Sequence, residues 1–94
     1  MNQRRLVFRV HAVRRMFERG ISPDDVALAL HSGEIIEEYP ADTPFPSRLV
    51  LGHLSNERPL HVVAADDDRE QITYIITVYE PDPDQWTADL RRRK

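Results

Sequence analysis

The spacing of apolar residues changes at Gly33, and this change restricts the fold more than any other feature of the sequence. Before Gly33 the apolar residues recur every three or four positions, as on one face of an α-helix. After Gly33 they alternate with polar residues, as on a β-strand. Helices followed by strands are typical of α+β domains, and 94 residues suffice for one such domain and not for two.

The first helix is predicted to begin at about His11 and to end at Gly20. Glycine favours the left-handed backbone that follows a helix end, and Ile21 is placed to pack against the last turn. We expect the helix to contact the core through an apolar stripe with helical spacing. This stripe consists of Val10, Val13, Met16, Phe17 and Gly20.

The second helix has a clear start and a clear end in the sequence. Ser22 can accept a hydrogen bond from the backbone of the first turn, and Pro23 suits the first helical position. Gly33 ends the helix, which is therefore predicted over residues 23–32. Its expected buried face consists of Val26, Ala29 and Leu30.

Four strands are predicted after Gly33, and the last three are linked by short polar turns. The predicted strands span residues 35–39, 48–54, 60–65 and 72–79. We expect a four-stranded, mainly antiparallel sheet with the two helices on one face, which is a two-layer α+β sandwich. The chain is taken as a single domain, 1–94, with a basic arm at 1–10 and a basic tail at 87–94 that forms a short helix or frays.

Charge is distributed unevenly along the chain. The net charge is −3, but the first twenty residues contain six arginines and one glutamate, and the last four residues are all cationic. A local basic surface could contact an anion such as RNA. In the alternative interpretation the ends are solvated and the basic helix packs near the acidic remainder.

The sequence excludes several classes of site. Without cysteine there is no disulfide, thiolate metal site or thiol nucleophile. The four histidines lack the spacing of metal ligands, so no metal and no cofactor is expected. No apolar run is long enough for a signal peptide or a membrane span, which predicts a cytoplasmic protein without a membrane partner.

One candidate group lies on the first helix. His11, Arg15 and Arg19 follow each other at i+4 spacing, so they share one face of the helix. As an anion clamp, the two arginines would hold phosphate and His11 would move a proton. The alternative is a solvated face on which Arg14 pairs with Glu18.

A second candidate group lies on the sheet. If the turn at 66–70 places His61 opposite Thr77, then His61, Thr77 and Tyr79 meet on one surface and could transfer a proton. A slip of one residue would separate them, and a half-buried histidine bonded to a neighbour is the alternative. Arg48 could add a cation to the same sheet, or could simply be a solvated strand end.

The chain resembles a family of small bacterial proteins known only as a domain of unknown function, of the DUF 4258 type. The resemblance runs from His11 to about Trp86. The strings that carry it are HAVRRMFERGIS at 11–22, DV at 25–26, GEII at 33–36, YP at 39–40, LG at 51–52, RPLHVV at 58–63 and TVYEP at 77–81.

That family is similar in layout to the RelE and barnase-like ribonuclease toxins, in which helices pack on a small antiparallel sheet. The resemblance implies metal-independent cleavage of RNA through a 2′,3′-cyclic phosphate, with an antitoxin protein as partner. The residues on which it would depend are His11, Arg15, His61 and Tyr79 for catalysis, and Arg19, Arg48 and Thr77 for binding RNA.

The alternative function is a non-enzymatic protein-binding or regulatory module of the same fold. Leu49, Leu51 and Trp86 are then candidates for the partner surface. A ribonuclease predicts that His11, Arg15 and His61 converge on one concave surface, whereas a binding module predicts that they are separated.

Overall fold

The computed structural model describes residues 4–94, which form two helices and one five-stranded sheet. The elements in chain order are β1 (Arg5–Phe8), α1 (Val10–Arg19), α2 (Pro23–Ser32), β2 (Glu34–Tyr39), β3 (Ser47–His53), β4 (Pro59–Asp67) and β5 (Ile72–Tyr79). The strand order across the sheet is β1-β5-β4-β3-β2. This confirms an α+β fold with two helices.

The predicted number of strands is wrong, because part of the expected basic arm is a strand. β1 pairs with β5 in parallel, with Arg5 opposite Ile72 and Phe8 opposite Ile75, so the sheet is mixed. Its apolar run, Leu6 to Phe8, is too short and too close to arginines to show a strand period in the sequence. Residues 1–3 of the predicted arm lie outside the described residues.

The end of α1 and the start of α2 follow from local chemistry, as predicted. Gly20 adopts a left-handed conformation with φ of 65°, and the N–H of Ile21 donates to the carbonyl of Met16 at 2.9 Å. At the start of α2, the Ser22 side chain accepts from the N–H of Asp25 at 3.1 Å, and Asp25 accepts from the N–H of Ser22 at 2.9 Å. This reciprocal capping box fixes α2 over Pro23–Ser32.

The predicted buried face of α1 is wrong in part: Met16 is buried as predicted, but most of the stripe is not. The helix contacts the core through Ala12 and Met16, while Val10, Val13 and Phe17 of the predicted stripe are 73%, 50% and 85% exposed. Val13 and Phe17 each follow a buried residue, so the exposed stripe is rotated by about 100° from the buried one. Packing through the small Ala12 and the flexible Met16 lets the helix lie close to the sheet.

The core lies between the helices and one face of the sheet. β4 and its neighbour β5 supply most of its sheet side: Leu60, Val62 and Ala64 from β4, and Ile75 and Val78 from β5. From α2, Val26 and Ala29 are fully buried. A Cβ on Gly52 would lie 2.5 Å from the carbonyl oxygen of Ala29, so a glycine is needed where α2 meets β3.

The other face of the sheet is partly covered by residues 85–94, which we call the C-terminal strap. Instead of the expected short helix or frayed tail, the strap folds back on itself. Thr87 N–H donates to the carbonyl of Arg92 at 2.8 Å, and Lys94 N–H donates to the carbonyl of Gln85 at 2.9 Å. Trp86 is bridged to Arg93 and is 4% exposed.

Candidate functional site

His61 lies on β4 opposite Tyr79 of β5, on the sheet face away from the helices. The register considered from the sequence, with His61 opposite Thr77, does not form, because Thr77 lies opposite Val63. A bulge leaves Ile76 unpaired between the partners of Val63 and Ala64. The extra residue shifts the register by one, so that Tyr79 and not Val78 lies opposite His61. Thr77 lies two positions before Tyr79 on β5, on the same face of the sheet.

Both ring nitrogens of His61 are hydrogen-bonded. Nε2 lies 2.9 Å from the carbonyl oxygen of Leu90, and Nδ1 lies 3.2 Å from the hydroxyl oxygen of Tyr79. Because a carbonyl can only accept, Nε2 carries the proton and donates to Leu90. In the neutral ring, Nδ1 therefore accepts from the hydroxyl of Tyr79.

The protonation states of this pair follow from burial. Burial lowers the pKa of His61 below its ordinary value of 6.5, although the hydrogen bond to the Leu90 carbonyl acts in the opposite direction. Burial also raises the pKa of Tyr79 above 10.0. At neutral pH both side chains are uncharged, and His61 has no exposed surface in this conformation.

The C-terminal strap is what closes the surface over His61. The ring of Trp86 lies 4.5 Å from the ring of His61 between centroids, and the Arg93 guanidinium lies 4.8 Å over the Trp86 ring. Arg91 pairs with Glu34 at 2.7 Å, and Arg93 pairs with Glu37 at 3.2 Å. The cationic strap is therefore bound to the acidic edge strand β2.

The polar residues of α1 lie on the opposite side of the sheet from His61. Neighbouring Leu60 and Val62 face the helices, so His61 between them faces away. α1 covers the face of Leu60 and Val62, and its exposed polar residues include His11, Arg15 and Arg19. The two candidate groups are thus separated by the sheet and do not form one concave surface.

Arg48 also lies apart from His61. It is paired in register with Ala64, whose side chain faces the helices. Its guanidinium contacts the carboxylate of Asp66 at 2.6 Å, and the hydroxyl of Thr73 donates to the same carboxylate at 2.7 Å. This contact gives Arg48 a structural role at the end of the sheet.

The residues that the sequence suggested for a partner surface are buried, so that prediction is wrong. Leu49, Leu51 and Trp86 are 0%, 5% and 4% exposed. Among the described residues, α1 instead has the largest group of exposed apolar side chains on one element, the stripe of Val10, Val13 and Phe17. Together with Arg14 and Glu18 it lines a shallow groove. The apolar spacing that could have identified this surface was attributed to the core.

A small pocket on the sheet face away from the helices was also missed by sequence reasoning. Phe45 and Tyr74 stack with centroids 5.8 Å apart, and Arg9 lies 4.7 Å over the Tyr74 ring. The pocket beside them has a volume of about 120 Å³. Because Phe45 comes from the Pro-rich loop and Tyr74 from β5, only the folded chain brings them together.

Among residues 4–94, no three histidine or carboxylate side chains are grouped closely enough to hold a metal ion. Within the same range, neither helix is long and apolar enough to cross a membrane.

A family model described as Domain of unknown function (DUF4258) matches residues 8–80. The match includes both helices and the strands β2 to β5, with His61 and Tyr79, and it ends before the C-terminal strap. No curated protein and no solved structure matches the chain. The likeness to ribonuclease toxins therefore stays a prediction.

Proposed function

The chain belongs to the DUF4258 family of domains of unknown function, and we propose that this member is a non-enzymatic protein-binding module that binds its partner on α1. One observation carries the proposal: Phe17 is 85% exposed and lies in one stripe with Val10 and Val13. A phenylalanine exposed to water at the end of an apolar stripe gains binding free energy when a partner covers it.

The pattern of exposure distinguishes this stripe from ordinary surface residues. Single exposed apolar side chains are common, whereas adjacent ones on one element are typical of binding surfaces. Val10, Val13 and Phe17 have i, i+3, i+7 spacing over about two helical turns. The same spacing occurs where helices bind other helices through apolar anchors.

The charges around the stripe favour an acidic partner. Arg14 and Glu18 line the groove, and Arg15 and Arg19 are exposed on the same helix. Within residues 4–94, none of these three arginines forms an ion pair. An amphipathic helix with carboxylates beside its apolar face would complement this surface. A second copy of α1 would instead bring like charges together.

The environment of His61 supports binding rather than catalysis as the main activity. A general base needs access to the proton that it removes, and here both ring nitrogens are already hydrogen-bonded under the strap. Arg15 and Arg19, the cations that would hold phosphate, lie on the other side of the sheet from His61. The separation of the two groups is the arrangement expected of a binding module.

The test uses a designed acidic amphipathic helix as the probe. We expect fluorescence anisotropy to report saturable binding of the labelled peptide to the wild type, and about tenfold weaker binding to Phe17→Ser. Leu28→Ser is the matched control, because Leu28 is an exposed apolar residue on α2. A peptide with lysine in place of its carboxylates should bind weakly at low salt.

Two outcomes would contradict this proposal. Equal binding by Phe17→Ser and Leu28→Ser would exclude the stripe as the binding surface, and equal binding of the lysine peptide would exclude an acidic partner. Sedimentation velocity provides a further check. A wild-type dimer that dissociates in Phe17→Ser would assign the stripe to a second copy of the chain.

The second candidate is a metal-independent ribonuclease, and the contact between His61 and Tyr79 favours it. In that reaction the ribose 2′-hydroxyl loses its proton to the base and attacks the adjacent phosphorus. His61 would be the base and would then donate this proton to the 5′-oxygen as the P–O5′ bond breaks, and a 2′,3′-cyclic phosphate remains. RNA would be the substrate, an antitoxin protein the partner, and the strap would have to move away from His61.

Labelled single-stranded RNA in EDTA tests the second candidate. A ribonuclease that works through the His61–Tyr79 contact predicts cyclic phosphate ends from the wild type and loss of cleavage in Tyr79→Phe, with the fold retained. Phe17→Ser should cleave like the wild type. Absence of cleavage over a range of salt concentrations would exclude this activity for RNA of that kind.

A further inference from the structure

We propose that the surface beneath the C-terminal strap is a peptide-binding cleft for basic segments with an aromatic anchor, and that the strap occupies it as an internal ligand. The cleft is formed by His61 and Tyr79 on the sheet and by Glu34 and Glu37 on the edge strand β2. It lies away from α1, so the proposal does not depend on the partner assigned to that helix.

Each contact of the strap is one that a receptor uses to recognise a separate peptide. His61 donates from Nε2 to a backbone carbonyl, that of Leu90, at 2.9 Å. Such a contact reads the main chain and not the side chain. Tyr79 fixes the imidazole in the donating tautomer by its bond to Nδ1, which lies 3.2 Å from the hydroxyl.

The aromatic anchor of the strap is Trp86. It is 4% exposed, and its ring plane stands at 85° to that of His61. Buried tryptophans with surrounding polar contacts contribute much of the affinity at protein interfaces. Leu51 lies opposite His61 on the same sheet face and is 5% exposed, so the floor of the cleft is apolar.

The charge of the cleft matches the charge of its occupant. Arg91 and Arg93 of the strap bind Glu34 and Glu37, and Arg93 also lies over the Trp86 ring. Without the strap, the two carboxylates would face solvent beside an apolar floor. A partner segment with an aromatic residue followed by arginines therefore has the complementary chemistry.

The strap is held as a separable element and not as part of the main core. It lies beyond the residues matched by the family model, and residues 91–94 are exposed. The Arg91 and Glu34 side chains are 46% and 54% exposed, so their ion pair contributes little and is weakened by salt. Segments with few buried anchors open locally before the whole domain unfolds.

Attachment to the same chain explains why the cleft is closed at rest. A tethered ligand has an effective concentration of about millimolar, so an external peptide must compete with it. Weakening the strap should therefore raise the apparent affinity for an external segment. This predicts an autoinhibited binding site that opens when a stronger basic partner replaces residues 85–94.

The test uses the full chain and exploits its single tryptophan. The protein variant Trp86→Ala, Arg91→Ala, Arg93→Ala lacks tryptophan and has a weakened strap. The probe is a peptide with the sequence of residues 85–94, whose tryptophan reports binding. We expect a saturable blue shift of its emission, and binding at least about tenfold weaker to Trp86→Phe, in which the strap arginines remain.

Controls identify the groups that recognise the peptide. A peptide with both arginines, Arg91 and Arg93, replaced by glutamate should not bind, and adding Glu37→Lys to the weakened protein should abolish binding of the original peptide. A weakened protein with a native circular dichroism spectrum that binds no peptide would overturn the proposal. Equal binding of the glutamate peptide would overturn it as well, because charge recognition would then be absent.

A measurement on the wild type covers the case in which the weakened variant does not fold. Acrylamide quenching of Trp86 is followed through a urea titration beside the circular dichroism of the sheet. If the strap is a separable ligand, Trp86 becomes accessible at lower urea than the sheet unfolds, and salt lowers that urea concentration further. Coincident transitions would show that the strap belongs to the core and would overturn the proposal.

Discussion

The ring of Trp86 stands edge-on to the ring of His61, with centroids 4.5 Å apart and planes at 85°. This contact joins the C-terminal strap to β4 and closes the sheet face on which the candidate histidine lies. It also explains how His61 can be fully buried although one side of its strand faces away from the helices. The state of the strap therefore determines whether His61 has access to solvent or to a ligand.

Protonation of His61 should make stability depend on pH. Burial lowers its folded-state pKa below the ordinary 6.5, so the unfolded chain takes up a proton at a higher pH than the folded chain does. Stability should therefore fall as the pH is lowered from about 7.5 to about 5.5. Urea denaturation of the wild type at both pH values measures this change.

His61→Gln is the variant that isolates this effect, and His53→Gln is the control for an exposed histidine. We expect the first to lose the pH dependence in this window while being less stable throughout, and the second to retain it. Arg58 lowers the pKa of Glu80 below 4.5, so the loss of that contribution occurs at lower pH, outside the window. An unchanged slope in His61→Gln would contradict the prediction.

Truncation of two adjacent residues on α1, Met16 and Phe17, should change the free energy of unfolding by very different amounts. Met16→Ala removes a core side chain and should cost about 2–5 kcal/mol in the free energy of unfolding. Phe17→Ala removes a side chain that is 85% exposed and should change stability by less than about 0.5 kcal/mol. Chemical denaturation compares them, and a larger loss for Phe17→Ala would mean that Phe17 is buried in the folded monomer.

Local sequence signals predicted the second helix well, because its boundaries depend on short-range chemistry. Ser22, Pro23 and Gly33 act within one helical turn of their own positions, so the sequence contains the whole interaction. The alternation after Gly33 likewise predicted the antiparallel strands β2 to β5. The fold class was therefore accessible from residue spacing.

The missed features depend on contacts between distant residues. Leu6 to Phe8 becomes a strand only because β5 offers a free edge, and the turn residues alone do not specify the bulge at Ile76. On α1, two apolar faces could pack against the sheet, and residue spacing favoured the larger one, which contains Val13 and Phe17. The sheet packs against Ala12 and Met16 instead, which left Phe17 in water and separated the helix arginines from His61.

Close packing between α2 and β3 should make one glycine much less replaceable than another. In Gly52→Ala the added Cβ would lie 2.5 Å from the carbonyl oxygen of Ala29, so the helix must shift. In Gly20→Ala the Cβ meets no atom within 4 Å, and the cost is the left-handed backbone alone, about 1–2 kcal/mol.

Thermal or urea denaturation of the two variants gives the comparison. We expect Gly52→Ala to lose more stability than Gly20→Ala although the chemical change is the same. The opposite order would mean that α2 can move away from β3 without loss of packing, and the assigned contact between Ala29 and Gly52 would then be wrong.

Asp66 should be a structural carboxylate whose loss destabilises the end of the sheet. It accepts from Arg48 at 2.6 Å and from the hydroxyl of Thr73 at 2.7 Å, and Thr73 is 2% exposed. Asp66→Asn removes the charge that balances Arg48, and also Arg4 at 3.6 Å, and should cost about 1–3 kcal/mol. Asp68→Asn is the matched control, because the Asp68 side chain is 86% exposed and its surface pair with Arg4 should contribute under about 1 kcal/mol.

The same comparison decides what Arg48 does. If its role is to pair with Asp66, Arg48→Met should lower stability, and the double variant should lose less than the sum of the two single losses. The urea midpoints of the four proteins in the cycle measure this coupling. Additive losses would separate the two residues, and Arg48 would again be a candidate for binding an anionic ligand.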